Sequence, residues 1–222
     1  MITITNAIEL LISAHPSYGE AMSEEIVNFS ALARKLKPGI EEILLEDVTE
    51  GAVVMALRRH AKELSSKMPR ESVHQIRNIT VRSEITEIAF QSTPNLNKVH
   101  QKLLAIAEKF DTPFLSYGQG VGETTFDIST VLLPALLTMT KGEKRIAKFD
   151  NLSAISIRLP LGTVTIPGVY YPFVKTLAWN RINVYQIISY FTEVTFIVDD
   201  KDIERAFGLM KAMTKRSEKK GS

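Results

Sequence analysis

Four histidines and several pairs of adjacent carboxylates are the residues whose types could run metal or acid-base chemistry, and their spacing argues against both. His15, His60, His74 and His100 stand singly, without the H-x-x-x-H or His-carboxylate spacing that brings two ligands to one helix face. His60 and His100 fall in segments of helical periodicity and read as surface or packing residues. Glu41-Glu42, Glu46-Asp47 and Asp199-Asp200 sit in exposed helices or at helix starts. Solvation and N-terminal capping account for them. The chain has no cysteine, which removes disulfides, thiolate nucleophiles and cysteine-held zinc. Gly118-Gln119-Gly120-Val121-Gly122 is rich enough in glycine to approach phosphates, yet Glu123-Thr124-Thr125-Phe126 follows it as a strand, not a helix. Lacking a helix terminus and a Gly-Lys-Ser/Thr ending, this loop reads as a flexible hairpin that could lie over a ligand. The expectation is a protein that is not an enzyme, with no cofactor and no metal.

The elements that would position a binding site are clearest from Leu152 to Met213. LSAISIRL alternates like a half-buried strand, and IPGVYYPFVKTLAWN reads as a helix entered through Pro167-Gly168 with Val169, Phe173, Leu177 and Ala178 on one side. INVYQIISYF and TEVTFIVDD are strand runs, and Asp199 or Asp200 caps a closing helix. Trp179 reads as a core or interface anchor. Residues 76–149 follow the same logic. Ile79, Val81 and Ile85 share one parity, whereas Ile88 and Phe90 share the other, which predicts a turn or bulge near Ser83-Glu84. Pro94 then opens a helix, Phe114–Tyr117 and Thr124–Ile128 are short strands, Val131–Met139 is a compact helix, and Arg145–Phe149 returns as a strand.

The order strand, proline-glycine loop, helix, strand, strand, helix, with Pro167-Gly168-Val169 and Arg181-Ile182-Asn183-Val184, resembles an ACT domain, in particular the regulatory ACT domains of aspartokinases without the kinase. The resemblance implies two ferredoxin-like βαββαβ units in tandem, a degenerate one over residues 76–149 and a second over 151–214. It further implies a small effector, often an amino acid, between the loop entering the first helix and the strand after it. Carried onto this sequence, that site is Pro167, Gly168, Val169 and Tyr170 with Asn183, Val184 and Tyr185. A glycine at a helix entrance leaves N–H groups open to a carboxylate. Tyr185 stands where amino-acid-binding relatives often carry an acid for the ammonium group, and Glu193 is the candidate to replace it. An equally open reading has Gly168 permitting close packing while Tyr170, Tyr171 and Tyr185 fill an interface. Pro94-Asn95-Leu96 takes the loop position of the first unit without a glycine, so that unit is expected to be a structural partner.

Residues 1–70 are expected to be helical: Asn6–Ala14, Ser30–Leu36 with Pro38–Glu46 as one or two helices, and a last helix from Thr49 or Glu50 carrying Val53, Leu57, Ala61 and Leu64 on one face. Its other side holds Arg58, Arg59 and Lys62. This pattern is similar to a winged-helix module, which would make those three residues a nucleic-acid contact. A helical dimerisation or packing domain fits equally well. Eight Lys and Arg against eleven Asp and Glu in residues 1–73 argue against strong phosphate binding. Lys67–Glu71, around Pro69, is the expected linker, and residues 215–222 a flexible basic tail.

The fold class is therefore α+β, a helical head followed by two ferredoxin-like units. The longest apolar run, Val131–Leu137, is interrupted by Pro134 and is too short for a bilayer, and Met1–Ser13 does not look like a signal peptide. A cytoplasmic protein is expected. The resemblance implies a non-enzymatic regulator, most simply a homodimer, whose effector changes the geometry of a head with a DNA-binding reading. The alternative is a free-standing regulatory subunit of an amino-acid biosynthetic enzyme.

Overall fold

The computed structural model describes residues 2–67 and 78–215. The chain divides into two compact units, Met1–Arg70 and Glu71–Ser222. The heart of the expected linker, His74 and the tail beyond Lys215 lie outside the described residues.

The first unit is built from α1 (Ile4–Ala14), α2 (Pro16–Ser23), α3 (Phe29–Leu44) and α4 (Glu50–Lys67). Thr3 and Asn6 cap α1 reciprocally, Pro16 takes the first position of α2, and Asn28 Oδ1 accepts the Ala31 N–H at 3.1 Å to start α3, so orphan donors are met locally. Ile8, Ile12, Met22, Leu32, Leu36, Ile40, Val53 and Leu57 form one core. Pro38 was a natural place for a helix break, yet α3 runs through it. Its ring removes the hydrogen bond to the Arg34 carbonyl, but Leu32, Leu36 and Ile40 stay buried on one face, and that burial outweighs one lost bond. Pro38 is itself exposed. Pro38→Ala is therefore expected to restore the bond and stabilise the helical unit by about 2 kcal/mol, read as a later urea midpoint in the helical circular-dichroism signal of the intact chain. An unchanged or earlier midpoint would mean the helix is bent to suit proline. No strand occurs among the described residues of this unit. Ile79 and Val81 belong to the sheet of the second unit.

The second unit comprises β1 (Asn78–Gln91), α5 (Pro94–Ala107), β2 (Leu115–Gln119), β3 (Glu123–Ser129), α6 (Leu133–Met139), β4 (Arg145–Arg158), α7 (Tyr171–Trp179), β5 (Val184–Ser189), β6 (Glu193–Asp199) and α8 (Ile203–Lys215). Its strands form one antiparallel sheet in the order β2-β3-β1-β4-β6-β5. The boundary expected at residues 149–151 falls inside β4. Asn78–Arg82 of β1 pairs with Ala154–Arg158 of β4, whereas Ile85–Phe90 pairs with Arg145–Leu152 and with β3. Each central strand thus serves both βαββα repeats. The first repeat, from Ile85 to Phe149, is inserted between the strand Asn78–Arg82 and the repeat that this strand completes.

A bulge in each long strand makes the sharing work. Glu84 and Asn151, each at the seventh position of a fourteen-residue strand, have φ of 59° and 56°. The parity change seen at Ser83-Glu84 appears as a register shift between Arg82 and Ile85. Because a one-residue shift exchanges the parities, odd-numbered Ile79 before the bulge and even-numbered Ile88 and Phe90 after it each face a core, whereas Ile85 pairs with Leu152 on the other parity. Ile88 and Phe90 pack with Leu96, Leu103, Phe126 and Leu136, while Ile79 packs against Ile155, Ile157, Phe173, Phe196 and Met210. At the crossover, Ile85, Leu152, Ala154 and Ile197 form a third cluster joined by Phe114 and Tyr185. Asp199 does act as a cap, its carboxylate accepting the Lys201 N–H at 3.1 Å. Helix α7 is shorter than its sequence pattern suggested, and Ala178 and Trp179 are exposed, Trp179 by 80%, so Trp179 is not a core anchor.

Candidate functional site

The loop between β4 and α7 is set by a ladder of short-range bonds. The Leu159 N–H donates to the Thr192 carbonyl at 2.7 Å, tying the end of β4 to the β5–β6 hairpin. Thr163 donates to the Pro160 carbonyl from both its N–H and its hydroxyl. Gly168 then turns the chain at φ +73°, a conformation that glycine alone adopts without strain, and its carbonyl accepts the Tyr171 N–H at 2.9 Å. Tyr170 and Ser189 share a hydrogen bond of 2.6 Å between their hydroxyls. The result is a cavity of about 380 Å³ lined by Leu159, Thr163, Val164, Gly168, Val169, Tyr170, Tyr190 and Phe191 among others.

Of the residues read from the sequence as a ligand site, Gly168, Val169 and Tyr170 line this cavity and Pro167 sits in the turn before it. Asn183, Val184 and Tyr185 do not join them. Val184 pairs with Val198, five residues short of Ser189 at the cavity, which is roughly 16 Å along an extended strand. Tyr185 instead packs against Phe149 with ring centroids 5.0 Å apart. The helix entrance also offers fewer donors than its sequence implied. The Tyr171 and Phe173 amides donate to Gly168 and Tyr170 carbonyls, and Pro172 has none. The Val169 and Tyr170 amides have no hydrogen-bond partner among the described residues. No acidic side chain lines the cavity, and Glu193 stands opposite Arg158 in the β4–β6 pairing. The hairpin residues Ser189, Tyr190 and Phe191 escaped the sequence reading as site residues. The signal was topological: in a βαββα repeat the hairpin returns to the end from which the first helix leaves.

The equivalent entrance of the first repeat is filled by its own polar bonds. Thr93 and Asn95 donate to the two oxygens of Glu143 at 2.9 and 2.8 Å, and Ser92 shares a bond of 2.9 Å with Thr124. Tyr117 donates to Asn97 at 2.5 Å and stacks on His100 at 4.3 Å. Burial lowers the pKa of that half-buried imidazole.

Two carboxylates missed by the sequence reading face each other across β1 and β3. Glu87 and Asp127 are directly paired and buried, with 8% and 1% of their surface exposed. Burial, the charge of Glu87 and a hydrogen bond to it push Asp127 up to about 8. Burial also raises Glu87. Asp127 therefore holds the shared proton and donates it to Glu87, leaving Glu87 Oε2 and Asp127 Oδ1 without partners.

In the helical unit Arg58, Arg59 and Lys62 are exposed, but two of them are engaged. The Arg58 guanidinium lies 5.1 Å from the centroid of the Phe29 ring, and Arg59 donates to the Thr5 hydroxyl.

No protein-family model matches the chain, and no curated protein matches it. Solved structures do. The ligand-free regulatory subunit of aspartate kinase from Thermus thermophilus is similar with a TM-score of 0.50 at 14% identity, over 62% of this chain and 97% of that one. Aspartate kinase from Clostridium acetobutylicum gives 0.50 at 18% identity over 63% of this chain and 35% of its own. E. coli aspartokinase III, in complex with aspartate and ADP, gives 0.50 at 15% over 66% and 35%. The likeness thus spans nearly all of an isolated regulatory subunit but about a third of the whole kinases, and at these identities it is a likeness of fold.

Proposed function

We propose that this chain is a non-enzymatic regulatory protein whose second unit takes a small effector, an amino acid or a related carboxylate, in the cavity beside Gly168. The cavity itself carries the reading: it joins two unpartnered amides to an aromatic and aliphatic wall at the entrance of α7, on a fold similar to that of an aspartate kinase regulatory subunit. The effector's carboxylate accepts from the Val169 and Tyr170 amides, and its apolar part lies against Leu159, Val164 and Phe191. With no acid in the lining, its ammonium group faces solvent. Asn183, Val184 and Tyr185, at the far end of β5, have no contact with it in this reading. Leu161, Tyr190 and Phe191 are exposed beside the cavity and form the natural contact for a second copy, most simply in a dimer. An effector that prefers one arrangement of the paired units shifts the population toward it, with the helical unit as the output.

A thermal-shift screen of the twenty amino acids tests this. At about one hundred times its Kd an effector adds about 2.7 kcal/mol, a rise of roughly 5–10 °C for a chain of this size. One amino acid or a small chemical group of them is expected to stand out. Uniformly flat melting curves would rule out the amino-acid reading.

A further inference from the structure

The two repeats enter their first helices in the same way but differ in what stands there. In the first, the Ser92 N–H donates to the Gly122 carbonyl at 3.0 Å, and in the second the Leu159 N–H donates to the Thr192 carbonyl at 2.7 Å. Each entrance is thus tied to its own β-hairpin by an equivalent bond, and each helix carries a proline in its first turn, Pro94 or Pro172. The difference is a carboxylate. Glu143 lies in the turn between α6 and β4, which is held by backbone bonds: the Glu143 N–H donates to the Thr140 carbonyl and the Gln91 N–H to the Lys144 carbonyl, both at 2.9 Å. From this turn its two oxygens accept separately, one from the Thr93 hydroxyl at 2.9 Å and the other from the Asn95 side-chain amide at 2.8 Å. Thr93 is the N-cap of α5, where a threonine hydroxyl ordinarily accepts from the helix, yet it makes no such bond. Two neutral donors aimed at the separate oxygens of one carboxylate form a pattern that recognises carboxylates. The lining of the second entrance contains no acidic side chain.

We infer that the first repeat holds a carboxylate site of its own, fitted to a small monocarboxylate of acetate size, and that Glu143 is its tethered ligand and keeps it closed in the native chain. The ligand class follows from the donors, since Thr93 and Asn95 are both committed to one carboxylate. Its size follows from the occupant, an unbranched side chain that brings a methylene and a carboxylate to the place. A tethered group competes at a high effective concentration, so a free carboxylate enters only when Glu143 is withdrawn. The two repeats are thereby unequal, one supplied with an anion by its own chain and the other dependent on solution. The inference rests on the bonds to Glu143 and stands or falls without the cavity beside Gly168.

The test titrates sodium acetate into the isotope-labelled full chain, against sodium chloride at equal ionic strength, and follows the side-chain amide of Asn95 by NMR. Glu143 is half-buried in a turn held by backbone bonds, so Glu143→Ala keeps the fold. In that variant acetate is expected to shift the Asn95 amide saturably, in the millimolar range and at least about tenfold tighter than in the native chain, whereas chloride leaves it in place. Glu143→Gln fills the space and still accepts from one donor, and is expected to stay as closed as the native chain. Thr93→Val added to Glu143→Ala removes a donor and is expected to weaken acetate by about threefold to tenfold, while Gly168→Val changes nothing. Glu143→Ala is also expected to melt below the native chain and to regain part of the difference in acetate but not in chloride, a readout that holds even where the fold is weakened. Equal acetate binding by Glu143→Ala and the native chain, an equal response to chloride, which would mean an adventitious ion only, or a loss of stability in Glu143→Ala that acetate leaves unrestored would each overturn the inference.

Discussion

Asp127→Asn is expected to stabilise the second unit at alkaline pH and to flatten its dependence on pH. In the native chain Asp127 and Glu87 face each other on paired strands with almost no access to water, and two like charges so placed repel. Burial, then the neighbouring carboxylate, raises Asp127 to about 8. A folded-state pKa raised above the value in the unfolded chain gives a contribution that is complete below about pH 4 and is lost as pH rises through about 8. Each unit of that shift corresponds to about 1.4 kcal/mol, so the pair withdraws on the order of a few kcal/mol by pH 9. An asparagine amide keeps the donor toward Glu87 and carries no proton to lose. At about pH 9 the variant should melt roughly 5–10 °C above the native chain, whereas between about pH 7 and 9 the native chain alone should fall. Other shifted groups act elsewhere on the scale. Glu41, Asp150 and Asp199 are lowered by their partners, so their contributions are lost in acid, and burial of neutral His100 likewise disfavours the folded state only as pH falls. Parallel decline of variant and native chain from about pH 7 to 9 would exclude the carboxylate pair as the cause.

That pair shows where the sequence was legible and where it stopped. Alternation identified the strands around Ile155 and Phe196, and the parity change between Ile85 and Ile88 located the bulge, because those signals are local. Asp150-Asn151, a polar pair of the types that ordinarily mark a turn, lay where one unit was taken to end. It is instead the bulge at which β4 changes partners, and the deciding contacts, such as Ile79 with Ile157, join residues too distant for any periodicity to report. The same limit applies to Glu87 and Asp127. A charged residue in a strand is assigned by default to the solvated face, and only the β1–β3 register puts both carboxylates in the interior. The core reading of Trp179 failed in the opposite direction: helical spacing placed it beside Leu177, but α7 ends there and the ring projects into solvent, so only its reading as an interface anchor stands. For the proposed cavity, Pro167-Gly168 pointed to the loop entering α7, which forms one wall, while the facing wall was not read from the sequence. The strand after the helix was taken at its beginning, Asn183–Tyr185, although an antiparallel hairpin brings its other end, Ser189–Phe191, to the loop.

Gly168→Val is expected to abolish stabilisation by whichever amino acid raises the melting temperature of the native chain, and Tyr185→Ala to leave it in place. At φ +73° a Cβ meets nothing within 4 Å, so valine causes no clash. Its penalty is conformational: an L-residue in the left-handed region costs about 1–2 kcal/mol, and a β-branched one more. The chain relieves it by opening the turn closed by the bond from the Tyr171 N–H to the Gly168 carbonyl, which moves the Val169 and Tyr170 amides off the cavity. Since Phe173 and Leu177 remain buried in the core, the variant itself should lose only a few degrees, on the order of 2–5 °C, and the helical signal of the first unit should not change. Tyr170→Phe removes the bond to Ser189 but no amide, so a loss of about threefold to tenfold in affinity is expected. Asn95→Val, at the matching entrance of the first repeat, should leave the effector response intact. Tyr185→Ala empties the space against Phe149 and lowers stability by a few kcal/mol, yet its remaining shift with effector should equal that of the native chain. The reverse outcome, with Tyr185→Ala silent to the effector and Gly168→Val fully responsive, would move the site to the far end of β5, because no single ligand of amino-acid size reaches both ends of that strand.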